Sequence, residues 1–280
     1  MAISVEATRK ICGATVSGLD LAVPLAENDR SAISDALVQH KVLAFPDQHL
    51  TDPDLEQFSL SFGPFGDDPF IAAIEGHPHV IAVERRIGET APLFAENWHT
   101  DWSFQVRPPK ATCLYGLKIP PIGGDTHFVD QQAALVAMPA ALRERLDGQT
   151  AVHSARGGYA PDGTYGTDDQ ATDRSMEIRP SETALATQLH PIIQTHPESG
   201  VEAIFGCAGY ITGFDNMTEA DSTTLLMDLY SWQTRAEFQF HQTWEPNMLL
   251  MWDNRALLHR ATGGYDGHHR LLHRTTIGAS

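Results

Sequence analysis

The chain has no apolar run long enough to cross a membrane. A spanning helix needs about 18 or more consecutive apolar residues, so no membrane partner is expected. Its opening residues, Met1 to Gly13, carry charge with no apolar core behind it, so no secretory leader is expected either. Cysteine is scarce: Cys12, Cys113 and Cys207 lie far apart and never as a C-x-x-C pair. Neither a disulfide framework nor a cysteine-rich zinc site is signalled, and a cytoplasmic location fits best. Positive charge is scarce too, with 19 Lys and Arg against 36 Asp and Glu and a formal net charge of -17. That balance repels polyphosphate and argues against nucleic acid as a partner. A small anion stays allowed, because a local cluster of arginines overrides the global sign. H-E-x-x-H, G-x-S-x-G and the glycine-rich nucleotide patterns are all missing, so zincin, hydrolase-elbow and nucleotide-binding readings have no motif behind them.

What is present reads as one domain over residues 1–280, with no repeat, low-complexity tract or linker. Four stretches read as helices: 29–40, 52–62, 132–146 and 218–232. The last opens on Thr218 and Asp221, a capping-box variant. Short runs at 41–45, 79–83, 111–117, 127–129, 248–252 and 271–277 read as strands between turn-forming clusters. Strands outnumber helices and do not alternate with them. The expected class is therefore mainly β with flanking helices, a sandwich or jelly roll rather than a doubly wound sheet. Residues 157–183 are polar, Gly-rich and weakly periodic, and are expected to form a long lid loop.

Of 14 histidines, most must be structural. In Asn97-Trp98-His99-Thr100-Asp101, an imidazole and a carboxylate stand two residues apart, so extended backbone turns both to one face. A third ligand would complete a 2-His-1-carboxylate triad, which leaves open positions for O2 and a co-substrate and suits Fe(II). His-x-Asp alone is weak, and His196-Pro197-Glu198 is a decoy whose Pro/Gly setting suggests a solvated turn. Trp98, Trp102 and Phe104 give His99 the more enclosed setting. His259, after an apolar run and a polar turn, is the best third ligand; His241, His268, His269 and His273 compete with it.

The segment Arg255 to Arg274 holds four arginines against one acid, Asp266. Strand alternation from Arg270 puts Arg270, Leu272, Arg274 and Thr276 on one face. Two buried arginines there need anions, from the protein's own carboxylates or from ligands, and a guanidinium fork matches a carboxylate or sulfonate. Thr126, on the tight turn Gly123-Gly124-Asp125-Thr126, can donate to a bound carboxylate.

At these residues the chain resembles the taurine dioxygenase / 2,4-D dioxygenase (TauD/TfdA) family of Fe(II)/2-oxoglutarate-dependent oxygenases. The resemblance rests on Asn-Trp-His-Thr-Asp at 97–101, Gly-Gly-Asp-Thr at 123–126, Trp-Asp-Asn-Arg at 252–255 with His259, and Arg270 with Arg274, in family order and with the family's His259-to-Arg270 distance. It implies a double-stranded β-helix (jelly roll), with His99, Asp101 and His259 as iron ligands. It also implies Arg270 and Thr126 on the distal carboxylate of 2-oxoglutarate, Arg274 on a substrate anion, and Trp252 in the pocket wall. The implied reaction consumes O2 and 2-oxoglutarate, releases succinate and CO2, and hydroxylates the substrate. Relatives suggest a homo-oligomer.

The substrate is less legible. Taurine-oxidising members carry a His and a Tyr where this chain has Gly66-Asp67-Asp68-Pro69-Phe70-Ile71, and an acid there would repel a sulfonate. Phe70, Tyr159, Tyr210 and Arg274 suggest a small anionic organic substrate with an apolar or aromatic body: a sulfonate, sulfate ester or aryloxyalkanoate. Taurine itself is the alternative. A zinc or manganese enzyme with the same triad and a non-catalytic jelly-roll binding protein are the remaining classes.

Overall fold

Two sheets face each other, and the alternation of their strands decides what lies between them. The structure, a computed structural model, describes residues 3–279. The larger sheet runs Ser4–Ala7, Ala14–Ser17, Val42–Phe45, Leu249–Asp253, Ala111–Lys118, Arg270–Ile277, Ile81–Arg85. The smaller runs Gln239–Gln242, Thr126–Asp130, Leu257–Ala261. Val42, Ala44, Leu114, Leu250, Trp252 and Leu272 of the first pack against Phe128, Phe240 and Leu257 of the second. The intervening residues Leu43, Phe45, Cys113, Tyr115, Leu249 and Met251 point outward, onto Ile33 and Leu37 of the helix Glu27–His40 and Leu55 and Phe58 of the helix Asp52–Leu60. On the far side, Val129 and Leu258 lie under the helices Gln131–Val136 and Glu219–Gln233. This is the expected jelly roll with helices outside.

The same period of two places the polar residues. Leu257 and Leu272 face the space between the sheets, so His259, Arg270 and Arg274 face it as well. A slip of one residue in either strand would turn them outward and bury their neighbours instead.

Several local expectations need correction. The helix expected over 132–146 is two, Gln131–Val136 and Ala140–Leu146, because Pro139 ends the first and initiates the second. The helix from Asp52 is started by Thr51, which forms a capping box with Asp54. Residues 157–183 are not structureless: they include most of the helical turn Arg156–Tyr159 and the 3-10 turn Asp169–Ala171, and Ile178 bridges to Ile71. Tyr159, Met176 and Ile178 bury themselves in a satellite core with Phe70 and Trp102. Among the described residues, nine short strands lie outside the expected runs, Leu257–Ala261 among them. Among the described residues, no helix is long and apolar enough to cross a membrane.

Candidate active site

His99 and His259 meet as an isolated antiparallel bridge. The His99 amide donates to the His259 carbonyl at 3.0 Å, and the His259 amide donates back at 2.7 Å. His259 lies in the middle of the strand Leu257–Ala261. The backbone is extended only up to His99; Asp101 already begins a turn, and Trp102 takes φ 49°. Even so, Nε2 of His99 and Nε2 of His259 stand 3.8 and 3.7 Å from the same oxygen, Oδ1 of Asp101. The three donor atoms lie within 4.8 Å of one another; Asp101 and His259 are buried, and His99 is nearly so.

The donors are in ligand form. Nδ1 of His99 donates to the Asn97 carbonyl at 2.8 Å. A carbonyl only accepts, so the proton sits on Nδ1 and Nε2 keeps its lone pair. Burial holds both imidazoles below their usual range, His259 at about 3. Burial opposes ionisation of Asp101, but His259, Arg274 and His99 outweigh it and keep the carboxyl below its usual range. Its second oxygen is taken: Thr112 donates to Oδ2 at 2.5 Å, and Asn254 Nδ2 donates to that hydroxyl at 2.9 Å. Trp252 Nε1 in turn donates to Asn254 Oδ1 at 2.9 Å. The relay leaves Oδ1 as the oxygen that faces the histidines. A two-imidazole, one-carboxylate donor set with one side open suits Fe(II) among first-row ions.

Arg270 lies beside this cluster and is 4% exposed. Its Nε and Nη2 donate to the Gly124 carbonyl at 3.2 and 3.0 Å. Gly124 has φ +72°, and a Cβ there would meet Arg270 Nε at 3.0 Å, so a glycine is what lets this carbonyl approach. Among the described residues no carboxylate lies within ion-pair distance of Arg270. Burial pulls its pKa down to about 10. A buried guanidinium without an anion is costly, and an incoming carboxylate offsets that cost. Thr126 is ready to help: its hydroxyl already accepts from Trp244 Nε1 at 2.9 Å, so its own proton is free to donate. Thr126, Arg270, Trp252, His259 and Arg274 line one small cavity of about 40 Å³.

Arg274 is buried as well, but it is not free. Its Nη2 donates to Asp68 Oδ1, and Nη1 lies 3.8 Å from Asp101 Oδ1. Trp102 Nε1 donates to the same Asp68 oxygen at 2.8 Å, and the Arg274 guanidinium stacks 5.2 Å from the Trp102 ring. Half of the expected basic island is thus neutralised: Arg255 pairs with Asp253 and Glu198, and Arg274 with Asp68.

A larger cavity of about 340 Å³ opens on the other side of His99 and Arg274. Tyr159, Tyr210, Tyr165, Trp102 and Asn97 are among its walls. Phe70 is not; it stacks behind Tyr159 at 4.9 Å. The competing histidines lie elsewhere: His241 stacks on His127, His269 bonds Glu84, His273 bonds Asp52, and His268 is half-buried. The decoy is a correction, since His196 is buried rather than solvated and bonds Asp253 at 2.9 Å. His196, Glu198 and Asp253 do cluster, but Arg255 already holds both carboxylates. Thr112 and Asn254 were not singled out from sequence. Thr112 sits in an apolar strand with nothing to mark it, whereas Asn254 lay inside the quoted Trp-Asp-Asn-Arg block.

Comparison with known proteins gives a consistent picture. The family model described as taurine catabolism dioxygenase TauD, TfdA family matches residues 5–276. An alpha-ketoglutarate-dependent sulfate ester dioxygenase of Pseudomonas putida is 32% identical over 95% of this chain and 86% of its own length. The alpha-ketoglutarate-dependent 2,4-dichlorophenoxyacetate dioxygenase of Cupriavidus pinatubonensis is 28% identical over 93% and 92%. The crystal structure of a taurine dioxygenase from Burkholderia xenovorans superposes with a TM-score of 0.80 at 29% identity, over 99% of this chain and 90% of that one. The chain belongs to the TauD/TfdA family and is, by class, a 2-oxoglutarate-dependent dioxygenase.

Proposed function

We propose that His99, Asp101 and His259 hold Fe(II), and that the protein uses it with 2-oxoglutarate and O2 to hydroxylate a small organic substrate. Bound iron would supply what no side chain can: O2 activation coupled to conversion of 2-oxoglutarate to succinate and CO2, with oxygen delivered to a substrate C–H bond. The rest is positioning by the protein. Thr112 keeps Asp101 Oδ2 engaged so that Oδ1 serves the metal. Arg270 and Thr126 take the distal carboxylate of 2-oxoglutarate, with Trp252 as a wall. The aromatic cavity receives the substrate between Tyr159 and Tyr210, with Phe70 backing Tyr159. Residues 157–183 supply part of that wall, and we assign them the covering role of a lid.

The observation that carries this reading is Arg270: a buried guanidinium without a carboxylate, beside three convergent ligand atoms. Arg274 lines the same aromatic cavity, and we assign it the anionic end of that substrate, a sulfonate, sulfate ester or aryloxyalkanoate, with Asp68 sharing its guanidinium. Anaerobic titration with Fe(II) and then 2-oxoglutarate should produce a weak visible charge-transfer band, and Zn(II) should not. No band with iron would overturn the assignment.

A further inference from the structure

Arg260 shares with Arg270 a trait that sets both apart. Among the described residues, every arginine that is not exposed pairs with a carboxylate, Arg270 and Arg260 excepted. With 36 Asp and Glu in the chain, acids are not in short supply. A half-buried cation left unpaired is costly, and a ligand anion offsets that cost.

The smaller sheet places Arg260 in a row of three. His127 of Thr126–Asp130 stands opposite Arg260 on one neighbouring strand and opposite His241 on the other. Alternation turns the row away from Phe128 and Phe240, onto the outer face, next to Val129 and Leu258 under the helices. The imidazoles of His127 and His241 stack with ring centroids 3.6 Å apart and planes 7° from parallel. The Arg260 guanidinium lies over the Trp98 ring at 4.6 Å. Its Nε, and Nδ1 of His127, are buried without a hydrogen-bond partner. Asp125, the acid whose field reaches His127, accepts from Thr243 Oγ1 at 3.4 Å.

We propose that Arg260, with His127 and His241 beside it, forms an outer anion-binding site for a small sulfate-like oxyanion, separate from the catalytic cavity. The Trp98 ring takes one face of the guanidinium, whereas an oxyanion binds at the Nη edge, so the two do not compete. Burial holds His127 down at about 4, so it enters as a neutral polar group and one cation meets one anion. A metal ion is disfavoured: Arg260 would repel it, and among the described residues no third ligand joins the two imidazoles. Trp98 also lines the substrate cavity and precedes His99, as Arg260 follows His259. One indole thus touches both sites. The outer site needs neither iron nor 2-oxoglutarate, so it stands or falls apart from them.

The test follows the imidazole proton–nitrogen signals of His127 and His241, assigned through His127→Gln and His241→Gln, during titration with sodium sulfate. The full-length protein carries Zn(II), a diamagnetic substitute for iron, with 2-oxoglutarate present to fill Arg270. Sodium chloride of equal ionic strength is the control. Both signals should shift with sulfate and saturate, and chloride should leave them in place. Arg260→Gln should weaken the binding about tenfold or more, the usual loss of hydrogen bonds to a charged group. Arg274→Gln should leave it unchanged. Shifts that stay linear in sulfate, or that chloride reproduces, overturn the proposal. So does binding that Arg274→Gln weakens and Arg260→Gln does not. If Arg260→Gln fails to fold, wild type and Arg274→Gln decide: a saturating shift kept in the latter supports the site, and its loss there overturns it.

Discussion

His99 and His259 exchange both of their backbone hydrogen bonds with each other. The spacing of the two imidazoles is thus set by main chain. Their ring centroids are 4.2 Å apart before any ion is considered. A site assembled this way should tolerate loss of one ligand without losing its shape. Asp101→Ala should abolish succinate formation and Fe(II) binding while the melting temperature stays within a few degrees of wild type. Retained turnover in that variant would remove Asp101 from the metal.

Thr112 donates to Asp101 Oδ2 and touches no part of the cavities. Groups that orient a metal ligand typically contribute about 10- to 100-fold in metal affinity. Thr112→Val should weaken Fe(II) binding by about that factor, measured by metal titration, while Thr112→Ser keeps it. Equal affinity in the valine variant would show that the carboxylate needs no such restraint.

Arg270 gives two effects of opposite sign. Its guanidinium has a backbone carbonyl as partner and no carboxylate, so it costs the ligand-free fold something to bury it. Arg270→Gln should leave the melting temperature of the ligand-free protein unchanged or higher. The same change should weaken 2-oxoglutarate binding by about 2–5 kcal/mol, the usual loss on truncating a buried charge pair. A large fall in ligand-free stability with unchanged 2-oxoglutarate affinity would mean that Arg270 is structural.

His153 gives a pH dependence away from the metal. It is fully buried; Nδ1 lies 2.9 Å from Ser103 Oγ, and burial depresses its pKa to about 3. In the unfolded chain the same imidazole titrates near 6.5. The unfolded state therefore takes up the proton first. Stability from this residue is full above pH ~6.5 and is lost as the pH falls toward about 3, by up to about 1.4 kcal/mol per pH unit. Urea unfolding at pH 7 and pH 5 should show a smaller difference for His153→Asn than for wild type. Equal slopes would sink the assignment.

Much of the site was legible because its residues come in short blocks with chemistry that few other sites require. His99 with Asp101, Thr126 after two glycines, and Arg270 with Arg274 each carry a spacing that survives folding. His259 was chosen over four other histidines without its strand being seen. Leu257–Ala261 is five residues long with a charged Arg260 inside it, too short for alternation to stand out. The helix break at Pro139 was legible but overlooked in a run of Ala and Leu. A Pro/Gly neighbourhood makes His196 resemble a solvated turn, while its hydrogen-bond partner inside the protein, Asp253, is distant in sequence. Asp68 was visible as an acid in the wrong place for a sulfonate. Its partner was not, because a contact between residues 68 and 274 leaves no local trace.

The main-chain bridge between His99 and His259 also bears on how the protein acquires its metal. The bridge closes a loop of more than half the chain, and long-range closures are entropically costly and come slowly. The two imidazoles cannot be neighbours until segments more than half the chain apart have paired, so the metal site is a late product of folding rather than a nucleus for it. Iron added during refolding should then deepen the native well by mass action and slow unfolding, while leaving the refolding rate of the apoprotein unchanged.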